Sequence, residues 1–451
     1  MSTFSISGLT TGVNWRNVID QLIQIERRPI NLMEQRKSTL SDQKTTWSDI
    51  KTKLTTIDSK LDALKLDSTW NAKKATSSDE AKVTATASSG AVAGTYSITI
   101  TDLASAHKVG SDKKTGYTVP VGKGGNIQIT VRDAGGTPTT TSVSIAEGDS
   151  LATIRDNINN ARAGVTATIV DDHLVITRDE TGAHSTISFT DNAGGVLKDL
   201  GILTASDTIK NELASPLDAG FTVDGMTVTR SSNLITDVIP NVTLNLKAKT
   251  TTAVTVEVKF DSQVVIDKIK AFVEAYNAAL DTMQARGGKG GKLQGDGTLM
   301  RISTTMRKDA SDQVAGISTQ YKSLSDLGIT TDSSGKLVID EAKLQEKVEA
   351  DPAAARNLFF SDEAGVTGVG EKLDANINLW TRSYDGIISA REDSLTRTID
   401  DITGQIESLE RRISLREQNL IRQFTEMEKI VTVFQSQGSW LNSQARTMGL
   451  I

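Results

Sequence analysis

The chain has 451 residues, a formal net charge of −6, 37% hydrophobic and only 4% aromatic residues, and no cysteine. That length suits roughly two to four domains. The acidic balance, with pI ≈ 5.4, argues against a chain-wide nucleic-acid footprint. No run approaches the ~20 apolar residues that span a bilayer. Without thiols there are no disulfides, Fe–S clusters or thiolate zinc sites, which suits a chain exported unfolded into an oxidising medium.

The first residues, Met1, Ser2, Thr3 and Phe4, lead into the uncharged "SISGLTTG" with no apolar h-region behind them. Asn14 then reads as a helix N-cap, with Val13 and Val18 placed as a hydrophobic staple. Val18, Leu22 and Ile25 share one face, and Pro29 is expected to interrupt the helix by pushing Arg28 towards extended geometry. A second helix is predicted from Leu40, Gln43, Trp47, Ile50, Leu54, Ile57, Leu61 and Leu64, a heptad seam.

Residues 73 to 260 alternate apolar and polar at period two, in stretches such as "TYSITIT", "NIQITV" and "AVTVEVKF". Asp224-Gly225 marks a hairpin, and Leu151, Ile154 and Ile158 a short helix behind Asp149/Ser150. All three histidines fall in this block and all five tryptophans outside it, which argues for boundaries near 72 and 261. A helix with Ile266, Ile269, Val273, Tyr276, Leu280 and Met283 on one face follows, then the Gly/Lys-rich stretch 286–297, expected to be a flexible linker. Next come a turn at Ser334-Gly335, a strand with Leu337 and Ile339, a helix capped by Asp340, and another capped by Asp351 with Pro352 at its first position. From Leu395 to Leu441 apolar residues alternate three and four apart, broken at Arg416 and by a stutter between Leu420 and Phe424. That seam describes a rod of roughly 70 Å.

Catalytic signatures are weak. The 286–297 stretch has the wrong spacing for a phosphate loop, and Leu293 stands where Ser or Thr would follow Lys292. "TTDSSGKLVIDE" lacks a carboxylate at position one of a calcium loop and reads better as a turn. His107, His173 and His184 lack metal or triad spacing. The residues therefore point to no enzyme, no cofactor and no metal. The terminal seams either close on each other within one chain or present surfaces to other subunits, and periodicity alone leaves both open. A lone seam of about two apolar residues per heptad does not offset backbone ordering at ~1–2 kcal/mol per residue.

"SISGLTTGVNWRNVIDQLIQIERRPINLMEQR", with its Ser7, Gly8, Leu9 and Gly12 signature, resembles the opening of the bacterial flagellar cap family, hook-associated protein 2. "DSLATIRDNINNARAGVTATIVDDHLVITRDETGAHSTISF" resembles the IN module of axial flagellar proteins, and "LSDLGITTDSSGKLVIDEAKL" the family's C-terminal region. The resemblance implies an α+β multidomain fold, with terminal helices as coiled-coil legs and β-rich heads inserted between them. The implied divisions are 1–44 (export and leg segment), 45–72 and 261–394 (helical bundle), 73–112 with 213–260 (first head), 113–212 (second head) and 395–451 (C-terminal leg).

It also implies a homo-oligomeric ring, commonly a pentamer, at the distal tip of the filament, reached through the flagellar type III export channel without a cleaved signal. There it promotes folding and insertion of flagellin and prevents its leakage. Further implied partners are a hook–filament junction protein and an export chaperone on the C-terminal helix, with no membrane span. The expected leg contacts are Leu22, Ile25, Leu32, Leu409, Ile413, Leu420, Phe424, Met427, Val431 and Phe434. Two alternative readings are another axial protein, such as the hook–filament junction protein, and an adhesin whose heads bind a host glycan.

Overall fold

The structure, a computed structural model, describes residues 14–133, 135–192 and 194–448. The Ser7, Gly8, Leu9 and Gly12 signature lies outside them. The chain divides into two compact units, one from the two chain ends up to Leu66 and from Ile266 on, the other spanning Asp67–Val265.

In the first unit a single helix runs Trp15–Lys65. Asn14 caps it as expected, its Oδ1 accepting from the Asn17 amide at 3.2 Å. The expected break at Pro29 does not occur, for Pro29 sits inside the helix. Proline there removes one backbone donor and crowds the preceding turn, a cost of about 3 kcal/mol. Ile23 and Ile30, on either side of it, are 7% and 4% exposed and buried against the C-terminal helix Ile387–Thr447, so tertiary packing overrides the local preference. Pro29→Ala is therefore expected to stabilise the chain by ~1–3 kcal/mol, read as a higher urea midpoint. An unchanged or lower midpoint would show that the ring is accommodated at no cost.

Between the long helices lie Ser262–Gly287, Gly297–Ser311, Glu341–Ala350, Pro352–Phe359 and Val369–Thr381. Asp340 caps the third by accepting from the Lys343 amide at 3.1 Å, and Asp351 caps the fourth by accepting from the Ala354 amide at 2.9 Å. Pro352 occupies the first turn, where no donor is missed. Phe272 meets Phe359 edge to face at 6.0 Å between centroids. Strands Ile329–Thr331 and Leu337–Ile339 form the hairpin around Ser334-Gly335. Asn277 binds it at both backbone groups of Leu337, each at 2.8 Å.

The Gly/Lys-rich stretch is not a flexible linker. Leu293 is buried, the Lys292 ammonium reaches Asp42 at 2.7 Å, and Gln43 donates to the Lys292 carbonyl at 3.3 Å. One apolar side chain and two polar ties to the N-terminal helix pin a segment whose composition suggested freedom.

The second unit holds two β cores. One is a five-stranded antiparallel sheet, in the order Lys73–Ser77, Val254–Phe260, Gly94–Asp102, Ala219–Val223, Met226–Arg230. A three-stranded sheet, Leu234–Ile239, Val242–Leu246 and Val83–Ala87, packs on it around Ile98, Ile100, Phe221 and Val256. Asp224 and Gly225 both take positive φ, 50° and 84°, as a two-residue turn joining strands of right-handed twist requires.

The other core joins the sheet Glu212–Ala214, Ala106–Gly110, His173–Thr181, Val165–Val170 to the sheet Pro138–Ile145, Gly125–Arg132, Ile187–Asn192. The helix Leu151–Asn160, capped by Ser150, buries Leu151, Ile154 and Ile158 between them.

Candidate subunit interface

The two terminal helices pack antiparallel. Trp15 stacks on Phe424 at 4.8 Å between centroids, the Glu26 carboxylate meets Arg416 at 2.8 Å, and Lys51 meets Glu392 at 3.8 Å. Ile19, Ile23 and Ile30 close on Ile402, Ile406 and Ile413, with Met33, Leu40, Leu409, Leu420 and Phe424 packed against them.

This buried face is not the one that Val18, Leu22 and Ile25 mark. The N-terminal helix carries two apolar stripes one residue apart, hence turned by about 100°. Ile19, Ile23, Ile30, Met33 and Leu40 are in phase with Trp47 and the seam up to Leu64, and that stripe is the covered one. The phase was readable only for a helix unbroken at Pro29.

The ten expected contact residues separate accordingly. Ile413 is buried within the chain at 4% exposure, while Leu409, Leu420 and Phe424 are half-buried against the same seam. Met427 and Val431 are half-buried further along. Leu22, Ile25, Leu32 and Phe434 are 40%, 54%, 66% and 65% exposed. The exposed four are apolar groups that the described chain leaves in water.

Buried polar groups elsewhere serve the fold. His107 accepts a hydrogen bond from the Ile187 amide on Nδ1 at 2.8 Å, tying the two sheets of the second β core, and burial lowers its pKa. Asp332 accepts from the Ser334 and Lys336 amides at 2.8 and 2.9 Å, closing the turn that faintly resembled a calcium loop. Among the described residues no three His, Cys, Asp or Glu side chains cluster as a metal site would require. In the helical unit Asp58 lies against Asp374, and its buried Oδ1 has no hydrogen-bond donor. Burial first, then Asp374, pushes its carboxyl up to about 7.

Comparisons with known proteins match these features. Residues 11–107 and 217–436 fit the family models described as flagellar hook-associated protein 2 N-terminus and C-terminus, and residues 126–180 fit the flagellin hook IN motif. The A-type flagellar hook-associated protein 2 of Pseudomonas aeruginosa is 29% identical, covering 99% of this chain and 98% of that protein. The Salmonella typhimurium flagellar hook-associated protein 2 is 30% identical over 68% of this chain and 69% of its own. The crystal structure of the Escherichia coli flagellar cap protein FliD, D1-D2-D3 domains, superposes with a TM-score of 0.61 at 31% identity, covering 78% of this chain and 99% of that one.

These matches favour the cap over a hook–filament junction protein and lend no support to the adhesin reading. Terminal helices with β cores inserted between them in the sequence, at this similarity along nearly the whole length, mean that the chain belongs to the flagellar hook-associated protein 2 family, the structural proteins that cap the bacterial flagellar filament.

Proposed function

We propose that several copies of this chain, five by resemblance, form a ring at the filament tip. There they shelter newly exported flagellin while it folds and inserts, and no catalysis is involved. The terminal helices serve as legs (1–44 and 395–451), the inner helices as a bundle (45–72 with 261–394), and the β cores as heads (73–112 with 213–260, and 113–212). Ser7, Gly8, Leu9 and Gly12 belong to an uncleaved type III export segment, as the resemblance of this stretch to the family's opening implies. Before export a chaperone covers the C-terminal helix, where Ile430, Val433, Phe434, Trp440 and Leu441 are exposed. A hook–filament junction protein seats the cap on a new filament.

The observation that carries the self-association reading is the stripe Leu22, Ile25 and Leu32. It is exposed on a helix whose adjacent face, turned by about 100°, is already covered by its own chain. Leucines and isoleucines so placed gain ~1.5–3 kcal/mol each when a neighbour buries them.

Replacing all three with serine should leave the thermal midpoint of the monomer nearly unchanged, because exposed positions cost within ~0.5 kcal/mol each. It should also weaken self-association at least tenfold in sedimentation velocity. A triple variant that assembles like the parent would remove this face from the interface.

A further inference from the structure

The exposed stripe of the N-terminal helix is also charged in one sense. Arg28 and Arg36 lie on the same face as Leu22, Ile25 and Leu32, all of them exposed, and no Asp or Glu falls on it. The C-terminal helix has the opposite character on one flank. Asp400, Glu407, Glu410, Glu417 and Ile421 follow at spacings of seven, three, seven and four, beside the buried seam of Ile406 and Ile413, and Arg411 borders them in an exposed pair with Glu407 at 3.9 Å. A helix repeats every 3.6 residues, so these positions form one continuous acidic strip. Within a single chain the strip and the stripe do not face each other, because the buried isoleucines separate them.

The two surfaces also stand at the same height. Trp15 is level with Phe424, Glu26 with Arg416 and Lys51 with Glu392. Leu22 is therefore level with residue 419, within one turn of Ile421, Arg28 lies between the levels of Glu417 and Glu410, and Arg36 is level with Glu407. Copies related by rotation about an axis along the legs all stand at one height, and such a ring uses two different, complementary patches on each copy.

We propose that neighbouring copies meet with the arginine-flanked stripe of one N-terminal helix against the acidic flank of the next copy's C-terminal helix. Arg28 then opposes Glu410 and Glu417, Arg36 opposes Glu407, and Leu22 packs on Ile421. This inference rests on the self-association reading above and adds the partner surface, the polarity and the register. Apolar groups supply the contact area, while the charges select register and reject like-to-like pairing.

Charge reversal of full-length chains tests it, with assembly followed by sedimentation velocity at 50 and 500 mM NaCl and helix content by circular dichroism. Arg28→Glu with Arg36→Glu should weaken association at least tenfold, and so should Glu407→Lys with Glu410→Lys. Both variants should keep the parent's helix content, since all four side chains are exposed. The chain carrying all four reversals should recover association to within about threefold of the parent. An equimolar mixture of the two defective chains should recover it in part. The parent's association should weaken at the higher salt, as exposed charge pairs are screened.

If either reversal assembles like the parent, or the fourfold variant stays as weak as its components, the two faces do not oppose each other and the pairing is wrong. If serine at Leu22, Ile25 and Leu32 abolishes assembly while the reversals do not, the stripe is an interface with a different partner surface. A parent chain that remains monomeric at every concentration overturns the self-association reading and this pairing together.

Discussion

Replacing Ile413 and Phe424 with aspartate is expected to abolish filaments while the chain is still recovered in the medium. Ile413 sits at 4% exposure among Ile19, Ile23, Ile30, Ile402 and Ile406. A carboxylate placed there has no cation within the cluster, and burying an unpaired charge costs several kcal/mol. The second substitution removes the Phe424 ring from its stack on Trp15 and turns the far end of the same seam polar.

Together they unzip the outer part of the helix pair. The inner bundle around Trp47, Phe272 and Tyr276, all fully buried, is left intact. The exposed stripe proposed as an interface would then be carried by a helix with no fixed partner. Electron microscopy of cells, with immunoblots of the medium for this chain and for flagellin, reads the outcome: bare hooks and free flagellin. Filaments of ordinary length from the double variant would refute the role assigned to the seam.

Asp58→Asn should make the helical unit more resistant to urea at neutral pH and leave it unchanged in acid. Asp58 on the N-terminal helix faces Asp374 on Val369–Thr381. Asp62 adds to the repulsion and Lys65 opposes it, while the Asn378 amide donates to Asp374 at 2.5 Å. Burial and the second carboxylate raise the carboxyl from 3.8 to about 7 in the folded chain.

The unfolded chain releases that proton near pH 4. Between about pH 4 and 7 the folded form therefore binds a proton that the unfolded form has lost, and stability falls as pH rises across that window. At about 1.4 kcal/mol per unit, less a discount for the partial exposure of Asp58, the cost by pH 7.5 is ~2–3 kcal/mol. Asparagine removes it and can donate a hydrogen bond to Asp374. Urea midpoints at pH 7.5 and pH 4 give the answer. An equal gain at both values, or none at pH 7.5, would mean that the two carboxyls are not sharing a proton.

Much of the architecture was legible along the chain because local rules decided it. Asn14, Ser150, Asp340 and Asp351 cap helices through their own side chains, and Asp224-Gly225 is one of the few pairs that suit a two-residue hairpin. Period-two alternation marked the strands that build both β cores. The failures occurred where a distant segment decided the matter. Pro29 has a local cost that burial of Ile23 and Ile30 exceeds. The 286–297 stretch has a linker's composition and yet is pinned by Leu293 and by Asp42, some 250 residues away in sequence.

By itself the sequence determined the caps at Asn14, Ser150, Asp340 and Asp351, the Asp224-Gly225 turn, the period-two block between helical ends, the presence of apolar seams at both ends and the absence of cysteine chemistry. Only the tertiary structure decided which of two neighbouring stripes on the N-terminal helix is covered, and so which one is left for another molecule. The reason is geometric: stripes one residue apart are about equally apolar to any local count, and only the helix lying alongside breaks the tie.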